Sequence, residues 1–242
     1  MKKTLLLKLA ILMLVQWPLA AYAVPFDNLY VFGDSLSDIG NDSLITGGVV
    51  PPAEYTDGTT SGRFTNGRNY IDYLSQSLGP TVTPSVVGGT DYAYGGARTN
   101  SANLPGAESL LQQRNSYLAS LGGGSADPNA LYIVWAGANN LSDIIDQIYT
   151  NPSYNPTSDL ATAATNLGSV VSSLAQAGAH NILVPNIPDL GIIPAVTGGG
   201  PRNAAVSGLV MGFNSALNNI LNGIDLGVPR SRSDAPGHVF AG

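Results

Sequence analysis

Four short apolar runs, each closing on Gly, Pro or Asn, constrain this chain more than any other feature of it. Asn28 to Phe32 ends in Gly33-Asp34-Ser35. Asp91 to Tyr94 ends in Gly95-Gly96, Leu131 to Trp135 runs on to Gly137, and Asn181 to Val184 ends in Pro185. Runs of this length bounded by turn residues read as buried strands opening into loops. Helical periods lie between and after them. Tyr70, Ile71, Leu74 and Leu78 share one face, as do Leu141, Ile144, Ile145 and Ile148. Leu110 to Leu121 follows the period more loosely, Leu160 to Ala177 carries Leu167, Val170, Val171 and Leu174 on one side, and Val206 to Leu221 makes the last stripe. Strands alternating with helices predict a parallel, doubly wound sheet, covered on both faces as a three-layer α/β/α domain.

Composition narrows the chemistry. The 242 residues include no cysteine, which removes disulfides, thiolate zinc sites and a cysteine nucleophile. Two histidines, His180 and His238, leave little for a histidine metal site. Residues 1–23 read as a secretory signal: Lys2 and Lys3, an apolar stretch from Leu5 to Leu14 broken by Lys8, then Ala21-Tyr22-Ala23 as a small-x-small cleavage site. The apolar stretch is short for a membrane span, so a secreted or periplasmic bacterial protein with no stable span after cleavage is expected. All three lysines lie in this segment, and the seven arginines against sixteen acids that remain leave a formal charge of −9. That excludes the basic face a nucleic-acid partner needs.

Three strand ends carry candidate chemistry. Gly33-Asp34-Ser35-Leu36-Ser37-Asp38 would set a serine hydroxyl at the carboxyl edge of the sheet, where ligands bind in such folds. It equally reads as a helix N-cap. Gly95-Gly96 offers an unshielded amide suited to an oxyanion, or a tight turn that needs positive φ. Gly137-Ala138-Asn139-Asn140 offers a side-chain amide, or a cap for the helix that follows. The segment from Gly40 to Asn66 is polar and aperiodic, and reads as a long loop beside the first motif.

Together the motifs resemble the GDSL lipase/esterases, also called SGNH hydrolases. The resemblance runs from about Phe26 to about Leu221. It rests on Phe32-Gly33-Asp34-Ser35-Leu36-Ser37-Asp38-Ile39-Gly40-Asn41, Gly62-Arg63-Phe64-Thr65-Asn66-Gly67-Arg68 and Asp91-Tyr92-Ala93-Tyr94-Gly95-Gly96-Ala97. Gly137-Ala138-Asn139-Asn140, with Asn140 where the family most often has Asp, and the run from Ile182 to Gly191 complete it. It implies a flavodoxin-like sheet and hydrolysis of acyl esters or lipids through an acyl-serine, without cofactor or metal, in a monomer. It implies Ser35 as nucleophile. The oxyanion hole would be the amide of Ser35, the amide of Gly96 (or, one position away, Gly95) and the side chain of Asn139.

The family's base is a His three residues after an Asp, beyond a fifth strand. This chain has no Asp-x-x-His; it has Asp234-Ala235-Pro236-Gly237-His238 instead. His180 precedes the fourth apolar run, at the end of the sheet away from Ser35. The expectation is therefore a signal over 1–23, an SGNH hydrolase domain over 24–226 that lacks its fifth strand and Asp/His pair, and a disordered tail over 227–242. The alternative function is a truncated remnant, impaired in catalysis but keeping a ligand cleft.

Overall fold

A computed structural model describes residues 26–52, 62–194, 202–226 and 239–241. The proposed signal, and most of the proposed tail with Asp234 and His238, lie outside these residues. Three apolar runs form strands as expected: β1 (Leu29–Gly33), β2 (Leu131–Trp135) and β3 (Asn181–Val184). The helices are α1 (Asn41–Ile45), α2 (Tyr70–Leu78), α3 (Leu110–Ser120), α4 (Ala138–Thr150), α5 (Thr157–Ala177) and α6 (Arg202–Leu221). The short α1 corrects the reading of Gly40 to Asn66 as an unbroken loop.

Two further differences concern the sheet. A strand β4 (Val239–Ala241) pairs parallel with β3, Ile182 facing Val239 and Val184 facing Ala241. The expected structureless tail thus contains a strand, and the outer edge of β3 is paired rather than bare. Conversely, Asp91 to Tyr94 is not a regular strand. It runs parallel along the other edge, Tyr92 N–H donating to Val31 at 2.8 Å and Tyr94 N–H to Gly33 at 3.3 Å, with only isolated bridges. Other groups compete for its outer hydrogen bonds. Asn41 Nδ2 donates to the carbonyls of Asp91 and Ala93, and the Asp91 carboxylate accepts from Ile39 and Ala93 N–H. These side chains take outward groups that a neighbouring strand would otherwise take, while at Asp91 the N–H donates to the Thr83 carbonyl and the carbonyl accepts from Ser85 N–H.

Counting that segment, the spatial order is 91–94, β1, β2, β3, β4, all parallel. The chain moves outward from β1 and then crosses back to β2. The reversal puts the topological switch point at the carboxyl ends of β1 and β2, the ligand-binding position in open α/β sheets.

Side-chain alternation splits the core in two. Leu29, Val31, Leu131 and Ile133 pack with Ile39 and Ile71 on the α2 face. Phe32, Tyr132 and Val134 pack with Tyr117, Leu141, Leu167, Val170, Leu174 and Phe213 from α3 to α6 on the other. Each fully buried Leu or Phe contributes roughly 1.5–3 kcal/mol, so both faces hold the sheet and fix its carboxyl edge.

Candidate active site

β1 ends at a position built for close approach. A Cβ on Gly33 would lie 2.4 Å from the Trp135 carbonyl oxygen, so only glycine lets β1 and β2 meet there. Gln113 of α3 grips the same residue. Its Oε1 accepts from Gly33 N–H at 2.9 Å, and its Nε2 donates to the Gly33 carbonyl at 2.9 Å. The turn that follows is internally bonded: Leu36 N–H donates to Asp34 Oδ1, and Ser37 and Asp38 N–H donate to the Asp34 carbonyl. Ser37 Oγ and Tyr70 OH, 2.8 Å apart, tie the turn to α2.

Asp38 joins this turn to the second candidate strand end. Its carboxylate accepts from the N–H groups of Gly40, Asn41 and Asp42, capping α1, and from Gly95 N–H at 3.2 Å. The capping role therefore falls to Asp38, not to Ser35. The Gly95 amide is thereby occupied. Gly96 follows at φ 69°, a left-handed conformation that favours glycine.

The third strand end completes the edge. Gly137 precedes α4 at φ 114°, and α4 has no side-chain cap. Asn139 and Asn140 instead turn toward the Gly96 segment. Asn139 Nδ2 donates to the Ala97 carbonyl at 3.0 Å, and Asn140 Oδ1 accepts from Thr99 N–H at 2.9 Å. Asn140, where the family most often has Asp, thus keeps an acceptor facing the loop.

One contrast organises the site. The amides of Leu36, Ser37, Asp38, Gly95 and Ala97 all have protein acceptors. Between them, the amides of Ser35 and Gly96 have none among the described residues, and neither has the Ser35 hydroxyl. Ser35, Gly96 and Asn139 are half-buried, and Asp34 and Gly95, which precede the first two, are buried. Among the described residues, these donors without acceptors sit at a partly open edge in a frame whose other amides are satisfied.

Electrostatics around the turn are unusual. Burial pushes the Asp34 carboxyl up to about 6. Burial, with the neighbouring Asp38 carboxylate, pushes Asp42 up to about 7. Asp42 is fully buried, and among the described residues neither of its carboxyl oxygens has a hydrogen-bond partner. Asp38 is raised by burial, an effect its four N–H donors oppose.

Comparison with known proteins agrees with this frame. The family model described as GDSL-like Lipase/Acylhydrolase matches residues 29–227. The chain belongs to that family. Lipase 1 of Photorhabdus luminescens is 36% identical over 71% of this chain and 24% of its own length. Esterase EstA of Pseudomonas aeruginosa is 32% identical over 80% of this chain and 33% of its own. GDSL esterase/lipase At5g22810 of Arabidopsis thaliana is 29% identical over 80% of this chain and 63% of its own. This GDSL-family chain therefore spans between about a quarter and under two-thirds of the length of these relatives.

The structure gathers the strand ends bearing Ser35, Gly96 and Asn139 at one sheet edge, as the resemblance implies. His180 stands just before β3, at the opposite end of the sheet, also as expected. It is the only histidine among the described residues. Gln113, which holds the end of β1, carries no signal in the sequence, because its partner Gly33 is distant in the chain. Asp38 was visible in the motif, but its bond to Gly95 was not.

Proposed function

We propose that this GDSL-family chain is an exported, monomeric serine ester hydrolase acting on acyl esters. The carrying observation is that, among the described residues, the Ser35 and Gly96 amides and the Ser35 hydroxyl have no partner, at the same sheet edge as the Asn139 side-chain amide. In the proposed reaction Ser35 Oγ attacks the ester carbonyl carbon and its proton passes to a base. The carbonyl oxygen becomes an oxyanion that accepts from the Ser35 and Gly96 N–H groups and from the second Nδ2 hydrogen of Asn139. Collapse expels the alcohol with a proton and leaves an acyl-serine, which water hydrolyses. Donors already fixed by the frame need no reorganisation when the charge forms, and that preorganisation is where their effect arises. The names of the relatives, a lipase and esterases, support an ester substrate.

The test is turnover of a short-chain nitrophenyl ester by the purified chain. Wild type is expected to turn over and Ser35→Ala to fall to the background rate. Asn139→Ala should lower kcat about 10²- to 10³-fold. Equal rates for wild type and Ser35→Ala would overturn the reading.

A further inference from the structure

Arg98 lies two residues beyond Gly96 and outside the residues assigned to catalysis. Its guanidinium makes four contacts. Nη1 donates to the Gly96 carbonyl at 3.0 Å and also to Asn103 Oδ1. Nε and Nη2 form a forked pair with the Asp143 carboxylate of α4, the Nη2 bond being 2.6 Å. Such a fork fixes the plane of the guanidinium as well as its position. Arg98 N–H also donates to the Ser101 carbonyl at 2.8 Å, which closes the loop beneath it.

The consequence falls on one peptide plane. The Gly96 N–H belongs to the peptide joining Gly95 to Gly96. On its near side the Gly95 N–H is held by Asp38. On its far side the Gly96 carbonyl is held by Arg98, and the Ala97 N–H by the Tyr94 carbonyl at 3.2 Å. Two glycines in a row give this peptide more rotational freedom than any other pair could. Clamps on both neighbouring planes remove it, and leave one N–H free and aimed.

We infer that Arg98, braced by Asp143, is a positioning residue that sets the direction of the Gly96 N–H by holding the Gly96 carbonyl. This rests on the proposed role of that N–H as an oxyanion donor. The specificity of the claim lies in geometry rather than charge: lysine keeps the charge but cannot fork to Asp143 while donating to Gly96.

Arg98 sits at the surface, with its side chain 21% exposed, so Arg98→Ala should fold. Its thermal midpoint is expected close to that of wild type. Its kcat for the nitrophenyl ester should fall roughly tenfold, less than for outright loss of a donor, with KM within about twofold. Its labelling by a fluorophosphonate should slow in parallel. Asp143→Ala should show a smaller loss, and the double variant no more loss than Arg98→Ala, as expected of coupled residues. Arg98→Lys should stay well below wild type. A kcat for Arg98→Ala within twofold of wild type, or full recovery by Arg98→Lys, would overturn the inference while Ser35-dependent turnover in wild type leaves the proposed function standing. An activity-independent readout separates the two further. The Gly96 amide resonance should be a single sharp peak in wild type and exchange-broadened or doubled in Arg98→Ala. An unchanged peak would sink the positioning role even if wild type proved inactive, whereas loss of wild-type turnover alone would fall on the functional reading.

Discussion

Replacing Gln113 by methionine should destabilise the fold by about 4 kcal/mol, within a range of roughly 3–5. Methionine matches glutamine in length, so the packing change is small. The hydrogen bonds are not replaced. Gln113 is fully buried and makes three: from Gly33 N–H, to the Gly33 carbonyl, and to the Glu108 carbonyl at 3.0 Å. The two carbonyl bonds are worth about 1 kcal/mol each, and the Gly33 carbonyl keeps its bond from Tyr94. The Gly33 N–H, buried under α3, is left with no acceptor, which costs roughly 1–3 kcal/mol more. Urea denaturation at neutral pH, comparing midpoints at equal slope, reads the difference. A loss under about 0.5 kcal/mol with unchanged slope would mean that Gln113 does not hold the end of β1, and would refute this account of how Ser35 is placed.

Other perturbations have equally definite outcomes. Gly33→Ala should destabilise by at least roughly 3 kcal/mol, seen as a large drop in thermal midpoint, because the added Cβ meets backbone of β2 rather than a movable side chain; a midpoint within a few degrees of wild type contradicts this. Asp42 and Asp34 bind protons more tightly folded than unfolded, so their contribution to stability is fully present below about pH 4 and lost as pH rises through about 6 to 7. Asp42→Asn should therefore flatten the pH dependence and gain on the order of 2–4 kcal/mol relative to wild type at pH 7.5 compared with pH 4.5. Parallel stability profiles for the two proteins would show that Asp42 is ionised at neutral pH in the folded state.

The sequence made most of this frame readable, and physics explains the remainder. β1 and β2 are apolar runs buried at nearly every position, β3 buries Ile182 and Val184, and all three are punctuated by turn residues, so their ends are visible. Asp91 to Tyr94 is bounded in the same way, yet Asn41 and Asp91 itself take some of its hydrogen bonds, and the contact with Asn41 is a tertiary event with no local mark. Val239–Ala241 is three residues long, too short to carry a period, and strand pairing alone defines it. At the site, Ser35, Gly96 and Asn139 follow from ordered motifs. That Asp38 takes the Gly95 amide is visible only in the structure. Gln113 is 80 residues from Gly33 and Asp143 is 45 from Arg98, so no spacing rule connects either pair.

The central claim is that Ser35 is a nucleophile set among preorganised donors. It is tested most directly by reacting the purified chain with a fluorophosphonate and mapping the adduct by peptide mass spectrometry. The account predicts one phosphonylated residue, Ser35, with no adduct in Ser35→Ala and slower modification in Asn139→Ala. An adduct on another serine, or none under conditions that label an active serine esterase, would contradict it.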